Sequence, residues 1–432
     1  MAVSNAPHEN RPASRRRWYQ RIGPGLITAC VVIGPGSILT SSKVGAQFGF
    51  SLFWVVAVTV LFMMLFMTLG ARLGMVADRS PGELIAARAG RALAVLIGVA
   101  VFFISAAFQS GNNLGVDSAF RMFVDFDYTI VIFNAFSIAF LFGLRNLYRA
   151  VERLMTCFVG LMLISFAMNL IFAQPAISEL LAGFIPPIGG LIGTARTAES
   201  TTGGGLDISV LGLVGTTLVI TAAFNQAYLV RQKGWGPAEL ADGLRDARVG
   251  SVLMALITLM IMGTAAANLR GQQLENIDQV AAQLTLFGGW GRALFCLGLF
   301  SAAYSSFLVN SMIGGFIFAD GLGLGSRPTD LAPKLFTTAV LLTGMSVALY
   351  VIKTKQSPVA LIVAAQAVTV LAAPLVAGAL VWLTNRRDIM GQWRNGVGTN
   401  LAAGVGFLLM LALAWYTASE KVWPEVRDWL AK

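Results

Sequence analysis

"VVIGPGSILTSSKVGAQFG", Val31 to Gly49, decides how this chain is read. Gly34-Pro35-Gly36-Ser37 interrupts a run that otherwise has the apolarity of a membrane-spanning helix. Proline removes a backbone donor and clashes with the preceding turn, and glycine in a helix interior costs about 1 kcal/mol. Non-helical backbone at membrane depth is tolerated where it lines a cavity, because its freed carbonyls and amides can hold a solute. The bland alternative is a Gly-Pro kink used only for packing.

The rest of the chain supplies the membrane. Its 432 residues are 56% hydrophobic and only 12% charged, with a mean hydropathy of +0.73. A soluble domain carries roughly a quarter charged residues, so the composition points to a polytopic membrane protein. Eleven candidate spans lie near 22–46, 50–76, 92–114, 128–144, 153–173, 208–230, 250–268, 286–319, 335–352, 358–384 and 398–417. Ten-residue alternating patterns are not evident, which argues against a barrel. The polar connections are short. The longest, Gly183 to Asp207, is rich in Gly, Pro and Thr and reads as an external loop.

The net charge of +10 follows the topology and does not imply a nucleic-acid partner. With the N-terminus inside, the inner segments hold 21 Lys and Arg and the outer segments 10. Arg15, Arg16, Arg17 and Arg21 precede the first span, and Arg72, Arg79, Arg88 and Arg91 surround the end of the second. Arg145, Arg149 and Arg153 flank the connection after the fourth span. Positive charge is retained in the cytoplasm, so the N-terminus is expected inside and, after eleven spans, the C-terminus outside. Residues 1–17 lack a small-residue cleavage site before the apolar run, so no removable signal peptide is expected. Cys30, Cys157 and Cys296 fall in apolar spans without paired spacing and are expected to be packed in the interior.

Several stretches resemble the NRAMP family, the natural resistance-associated macrophage proteins. "GPGLITACVVIGPGSILTSSKVGAQFGFSLFWVVAVTVLFMMLFMTLGARLG" is similar to that family's first two helices. "ERLMTCFVGLMLISFAMNLIFAQP" resembles its fifth, "SSFLVNSMIGGFIFADG" its eighth and "AAQAVTVLAAPLVAGALVWLTNRRDIMG" its tenth. The likeness runs over roughly residues 20 to 415. It implies an all-α integral membrane protein with the amino-acid-transporter-like (LeuT-type) fold, in which two inverted five-helix repeats carry broken helices 1 and 6. The chain then divides into a cytoplasmic tail (1–20), a first repeat (21–175), an external loop (176–206), a second repeat (207–385), and helix 11 with a short external tail (386–432).

The resemblance also shows what is missing. In the family's metal carriers, helix 1 reads Asp-Pro-Gly-Asn, and the Asp and Asn coordinate metal; here those positions are Gly34 and Ser37. Helix 6 of the family reads Met-Pro-His, with a thioether that favours softer transition metals. Aligned on Tyr228-Leu229, this chain places Ala223, Phe224 and Asn225 there, and a one-residue shift places Ala222 at the Met position. The family's acids in helix 3 fall on Gln109 and Asn112, the substituted proton-pathway positions. The single histidine, His8, lies in the N-terminal tail. Asp117 is read as a solvated charge near the outer surface, and Lys43 as snorkelling to the outer interface.

The candidate substrate-binding set is therefore neutral: Gly34, Ser37, Ala223, Asn225, Gln226 and Gln366, the last matching a helix 10 glutamine of the family's cavity. Singly, such amides can equally serve as interhelical glue. No metal ligand is assigned and no cofactor is expected. No Ser-His-Asp set or phosphate loop points to an enzyme, since "TTGGGLD" follows no strand. One hydroxyl and a few amides cannot strip a dication of its water cheaply, and hard cations dehydrate reluctantly. The expected function is a secondary transporter in a bacterial inner membrane, moving an inorganic cation by alternating access with altered selectivity and weak or no proton coupling. The alternatives are another small polar solute, or a non-transporting sensor that would need a separate output partner. Oligomeric state is not legible.

Overall fold

The computed structural model describes residues 23–124, 126–144, 146–186, 208–274, 279, 288–354, 358–419 and 423. The basic tail and most of the 176–206 loop lie outside them. The described residues form helices α1 (Pro24–Val32), α2 (Pro35–Phe48), α3 (Phe53–Val76), α4 (Pro81–Ala89), α5 (Arg91–Arg121), α6 (Thr129–Gly143), α7 (Leu147–Ala173) and α8 (Ile177–Ala182). They continue with α9 (Ile208–Thr217), α10 (Ile220–Gln232), α11 (Leu240–Asn268), α12 (Gly288–Leu322), α13 (Leu331–Thr354), α14 (Pro358–Asn385), α15 (Arg387–Met390) and α16 (Val397–Thr417). Eight spans are long and apolar enough to cross a membrane, or up to ten with each bent pair counted as one; α6 is a shorter apolar helix. The eleven expected spans are compatible with this set.

The first span is cut in two, with α1 and α2 meeting at 60°. The tetrapeptide Ile-Gly-Pro-Gly occurs twice, at 22–25 and 33–36, and starts each half. Pro24 and Pro35 occupy first-turn positions, where a helix has no partner for the missing N–H. Gly34 stands at the break in ordinary extended backbone, φ −117 and ψ −178. Both halves are buried, and every residue of α1 is covered.

Pairing of the helices reveals the repeat. α2 packs on α11, and its counterpart α10 packs on α3. α12 packs on α7, and its counterpart α5 packs on α14. The α5–α12 contact maps onto itself and is the most extensive. Exchanging spans 1–5 with spans 6–10 therefore preserves these pairings. Five is odd, so corresponding spans cross the membrane in opposite directions and the second repeat is inverted.

Small residues permit these crossings, because lipid tails offer no hydrophobic drive and close backbone approach must supply the attraction. A Cβ on Gly70 would lie 2.1 Å from the Ala223 carbonyl oxygen, and one on Gly74 2.2 Å from that of Ala227. Two small-xxx-small faces thus lock α3 to α10. The break itself is held from α5, where a Cβ on Gly115 would sit 2.2 Å from Pro35 Cγ. Gly115→Val is expected to destabilise the protein by about 1–3 kcal/mol, the usual cost of overpacking. Its midpoint in detergent, followed by loss of monodisperse protein on heating, should fall by several degrees. An unchanged midpoint would mean that Pro35 is free to move.

The last span has only 22% of its apolar window buried, against 94% for Val210–Gln232. This contrast separates a peripheral, lipid-facing helix from a central one. The outward faces carry large apolar side chains such as Phe136, Ile164 and Leu408. Cys157 belongs to that exposed set, contrary to its expected packing, whereas Cys30 and Cys296 are buried. Asp117 is also corrected. It is 7% exposed and pairs with Arg121 at 2.8 Å on the same helix face, so it is a buried ion-paired carboxylate.

Candidate functional site

At the break in the first span lies a cavity lined by Val31, Val32, Gly34, Gly36 and Ser37 from α1, α2 and the link between them. Phe108 and Asn112 of α5 close one side, Thr216 and Val219 of the sixth span another, and Ser306 and Asn310 of α12 a third. It has room for about one water.

Its chemistry is oxygen without charge. Ser37 Oγ is buried and has no hydrogen-bond partner among the described residues. Asn112 Oδ1 would lie 3.3 Å from a Cβ on Gly34, and Ser306 Oγ 3.1 Å, so both groups press against the bare backbone of the break. The carbonyls released by unwinding are partly taken up by α12: Ser306 Oγ donates to Val31 O at 3.1 Å and Ser305 Oγ to Cys30 O at 3.4 Å. Asn310 Nδ2 donates to Ser105 O at 2.8 Å, which fixes its side chain against α5. Among the described residues, no three of His, Cys, Asp and Glu come together in a way that could hold a metal ion.

The structure gathers only part of the residues singled out in the sequence. Gly34 and Ser37 line the cavity, as does Asn112. Gln109 is fully buried beside it and receives a long contact, 3.5 Å, from Asn112 Nδ2. Gln366 lies on α14, but its side chain is outside the described residues.

The sixth span differs from expectation. It is interrupted at Leu218 and Val219, not at 223–225, and Val219 adopts φ −82 and ψ 85. The aligned positions Ala223, Asn225 and Gln226 consequently fall inside regular helix α10. Ala223 serves the crossing with α3. Gln226 Oε1 accepts a 2.6 Å hydrogen bond from Thr28 Oγ1, tying α10 to α1. Asn225 opens onto a different cavity. A break without glycine or proline gives no signal in "TTLVITAAFNQ", so an alignment on flanking residues misplaces it.

Three contributors escaped the sequence reading: Thr216, Ser306 and Asn310. The latter two were quoted within "SSFLVNSMIGG" without being singled out. Their four-residue spacing, one turn on an otherwise apolar span, is the signal that could have found them. Next to the cavity, α5 carries a neutral polar chain. Asn113 Nδ2 donates to the Gln109 carbonyl at 2.8 Å, and Asn134 Nδ2 to Asn113 Oδ1 at 2.6 Å. Ser137 then meets Tyr304 Oη at 3.2 Å.

Comparison with known proteins places this chain in a family of transporters. A family profile described as natural resistance-associated macrophage protein-like, Nramp, matches residues 25–420. A divalent metal cation transporter MntH of Verminephrobacter eiseniae is 28% identical over 90% of this chain and 87% of its own length. The MntH of Deinococcus radiodurans is 25% identical over 94% of this chain and 91% of its own. A manganese transporter of Eremococcus coleocola superimposes with a TM-score of 0.79 at 19% identity, covering 94% of this chain and 87% of that one. Mhp1, a nucleobase-cation-symport-1 family transporter, superimposes with a TM-score of 0.51 at 16% identity, covering 93% and 91%. At these identities the superpositions speak to the fold alone.

Proposed function

Because the chain belongs to the Nramp family, we propose that it carries an inorganic cation across a bacterial inner membrane by alternating access. The N-terminus is inside, and coupling to protons is weak or absent. The observation that carries this reading is the cavity at Gly34, which sits at the break in the first span and sets the neutral polar groups of Ser37, Asn112, Thr216, Ser306 and Asn310 beside an apolar wall. Neutral oxygens suit a cation that is held loosely and regains its water readily.

Manganese and iron are poor substrates in this reading. A carboxylate and a thioether would supply charge and softness, and neither type of side chain lines the cavity. The absence of proton coupling follows the same logic. Gln109, Asn112, Asn113 and Asn134 pass hydrogen bonds but have no pKa in the accessible range.

Purified protein in liposomes, offered magnesium, manganese, iron and calcium in turn with proton flux read in parallel, tests both parts. The expected result is saturable uptake of a hard cation at a rate unchanged by external acidification. Micromolar manganese affinity by calorimetry would overturn the selectivity. An acid-stimulated rate with matching internal acidification would overturn the uncoupled mechanism.

A further inference from the structure

A buried carboxylate ties α10 to α12 beyond the site, on the side of α1's N-terminus. Asp320, near the end of α12, is 1% exposed and accepts a hydrogen bond from the Tyr228 hydroxyl of α10 at 2.6 Å. Its other donors belong to the start of α4: Ser80 Oγ at 2.6 Å and the Gly82 amide at 2.8 Å. A first-turn amide has no acceptor within its own helix, so Asp320 completes the N-terminus of α4. Five residues past Tyr228, Lys233 at the end of α10 pairs with Glu152 of α7 at 2.8 Å. In the proposed orientation these ties lie on the cytoplasmic side.

The partners of the Tyr228–Asp320 bond are held differently. α4 keeps its two hydrogen bonds to the carboxylate whether or not the phenol is in place. Arg91 Nη1 adds a bond to the Gly321 carbonyl at 3.2 Å, which fixes the end of α12 to the start of α5. Tyr228, by contrast, rides on a helix that begins at the interruption of the sixth span. α1 ends at the matching break in the first span, and Thr28 Oγ1 joins it to Gln226 of α10 at 2.6 Å. α1 and α10 therefore form one unit with a hinge at each break. The bonds from Ser305 and Ser306 to α1 lie beside the break, where a swing moves atoms least. Farther from the hinge, the seam against α7 and α12 contains a gap with room for about one water, between Ile27, Asn225, Leu229, Met312 and Phe316. A void forfeits part of the dispersion contact that would otherwise hold the seam shut.

We propose that the Tyr228–Asp320 hydrogen bond is the latch of a cytoplasmic gate. When it parts, α1 and α10 swing away from α7 and α12, and the Gly34 site faces the cytoplasm. Water entering the opened seam replaces the phenol on the carboxylate. Lys233–Glu152 is the weaker tie, because it lies nearer to solvent. The latch rests on the alternating access and the orientation of the function proposed above, and it is independent of which ion is carried.

Cys30 reports the opening. It is fully buried on α1, with its thiol on the Met155 carbonyl of α7 at 3.5 Å, and it lies between the latch and the Gly34 site. Cys296 is also buried but precedes Asp320 on α12 by 24 residues, roughly 36 Å along the helix. Membrane vesicles of known orientation are treated with a membrane-impermeant maleimide, and each cysteine is read by peptide mass spectrometry. Tyr228→Phe keeps the ring and should label Cys30 from the cytoplasmic side at least 10-fold faster, with Cys296 within 2-fold of the parent. Tenfold is about 1.4 kcal/mol in the opening equilibrium, the scale of one hydrogen bond to a charged group. Asp320→Asn weakens the same bond from its other end and should act in the same direction. Thr28→Val removes a bond of equal length that stays within the moving unit, and should leave Cys30 labelling within 2-fold. Labelling of Tyr228→Phe within 2-fold of the parent, or from the outer side only, would overturn the latch. Equal acceleration by Thr28→Val, or a rise of Cys296 alongside Cys30, would show general loosening and overturn it too. Magnesium and manganese uptake by the parent in the same vesicles separates the two claims: a parent that moves neither overturns the cation reading, while Cys30 labelling decides the latch.

Discussion

Gly34→Val protein is expected to insert and to elute as the parent does, but to move cation at least 10-fold more slowly, an activation difference of about 1.4 kcal/mol or more. The backbone is not the obstacle, because Gly34 holds extended dihedrals that any residue adopts. The obstacle is space. A Cβ there already meets Ser306 Oγ at 3.1 Å and Asn112 Oδ1 at 3.3 Å, and the two further methyl groups have only a one-water cavity to enter. Ala223→Val is the comparison, since Ala223 sits in regular helix away from that cavity. It should perturb packing against α3 more than it perturbs substrate affinity. Parent-like uptake by folded Gly34→Val would show that the Gly-Pro interruption is a packing kink.

Charge restored to the same position should have the opposite effect on binding. In Gly34→Asp the carboxylate enters between Asn112 and Ser306, after a shift of a few tenths of an ångström. Two unit charges 4 Å apart attract by about 4 kcal/mol at an effective dielectric of ~20, and a dication doubles that gross term. Desolvation of the buried carboxylate takes back a large share. A net tightening of manganese binding of about 100-fold, or about 2.7 kcal/mol, is the expected outcome by calorimetry. Gly34→Asn, of nearly the same shape but uncharged, should tighten it by less than 10-fold. Equal affinities for the two variants would mean that the ion does not approach residue 34.

These two substitutions are possible to name because the first span was readable without coordinates. Gly and Pro act through local backbone chemistry, so "IGPGS" announces a break and its place in the sequence alone. Length and apolarity determined the spans for a similar reason, since the bilayer demands about twenty apolar residues wherever a helix crosses. The neutrality of the candidate site was also legible, because an absent carboxylate or thioether can be read from residue identity.

Tertiary structure decided what depends on several helices at once. The sixth-span interruption at Leu218 and Val219 carries no Gly or Pro, so it is imposed by packing among α2, α3 and α14, and it leaves Ala223, Asn225 and Gln226 inside regular helix, off the lining of the Gly34 cavity. Ser306 and Asn310 became cavity residues only when α12 was laid against the freed carbonyls of α1. Asp117 and Cys157 exchanged their expected settings because burial is a property of the helix face. In a membrane an apolar face can look outward to lipid, while a paired carboxylate can look inward. Sequence determines where a backbone must fail and which charges are absent. Which side chains then converge on the gap is set by how helices distant in the chain pack, and no local pattern encodes that.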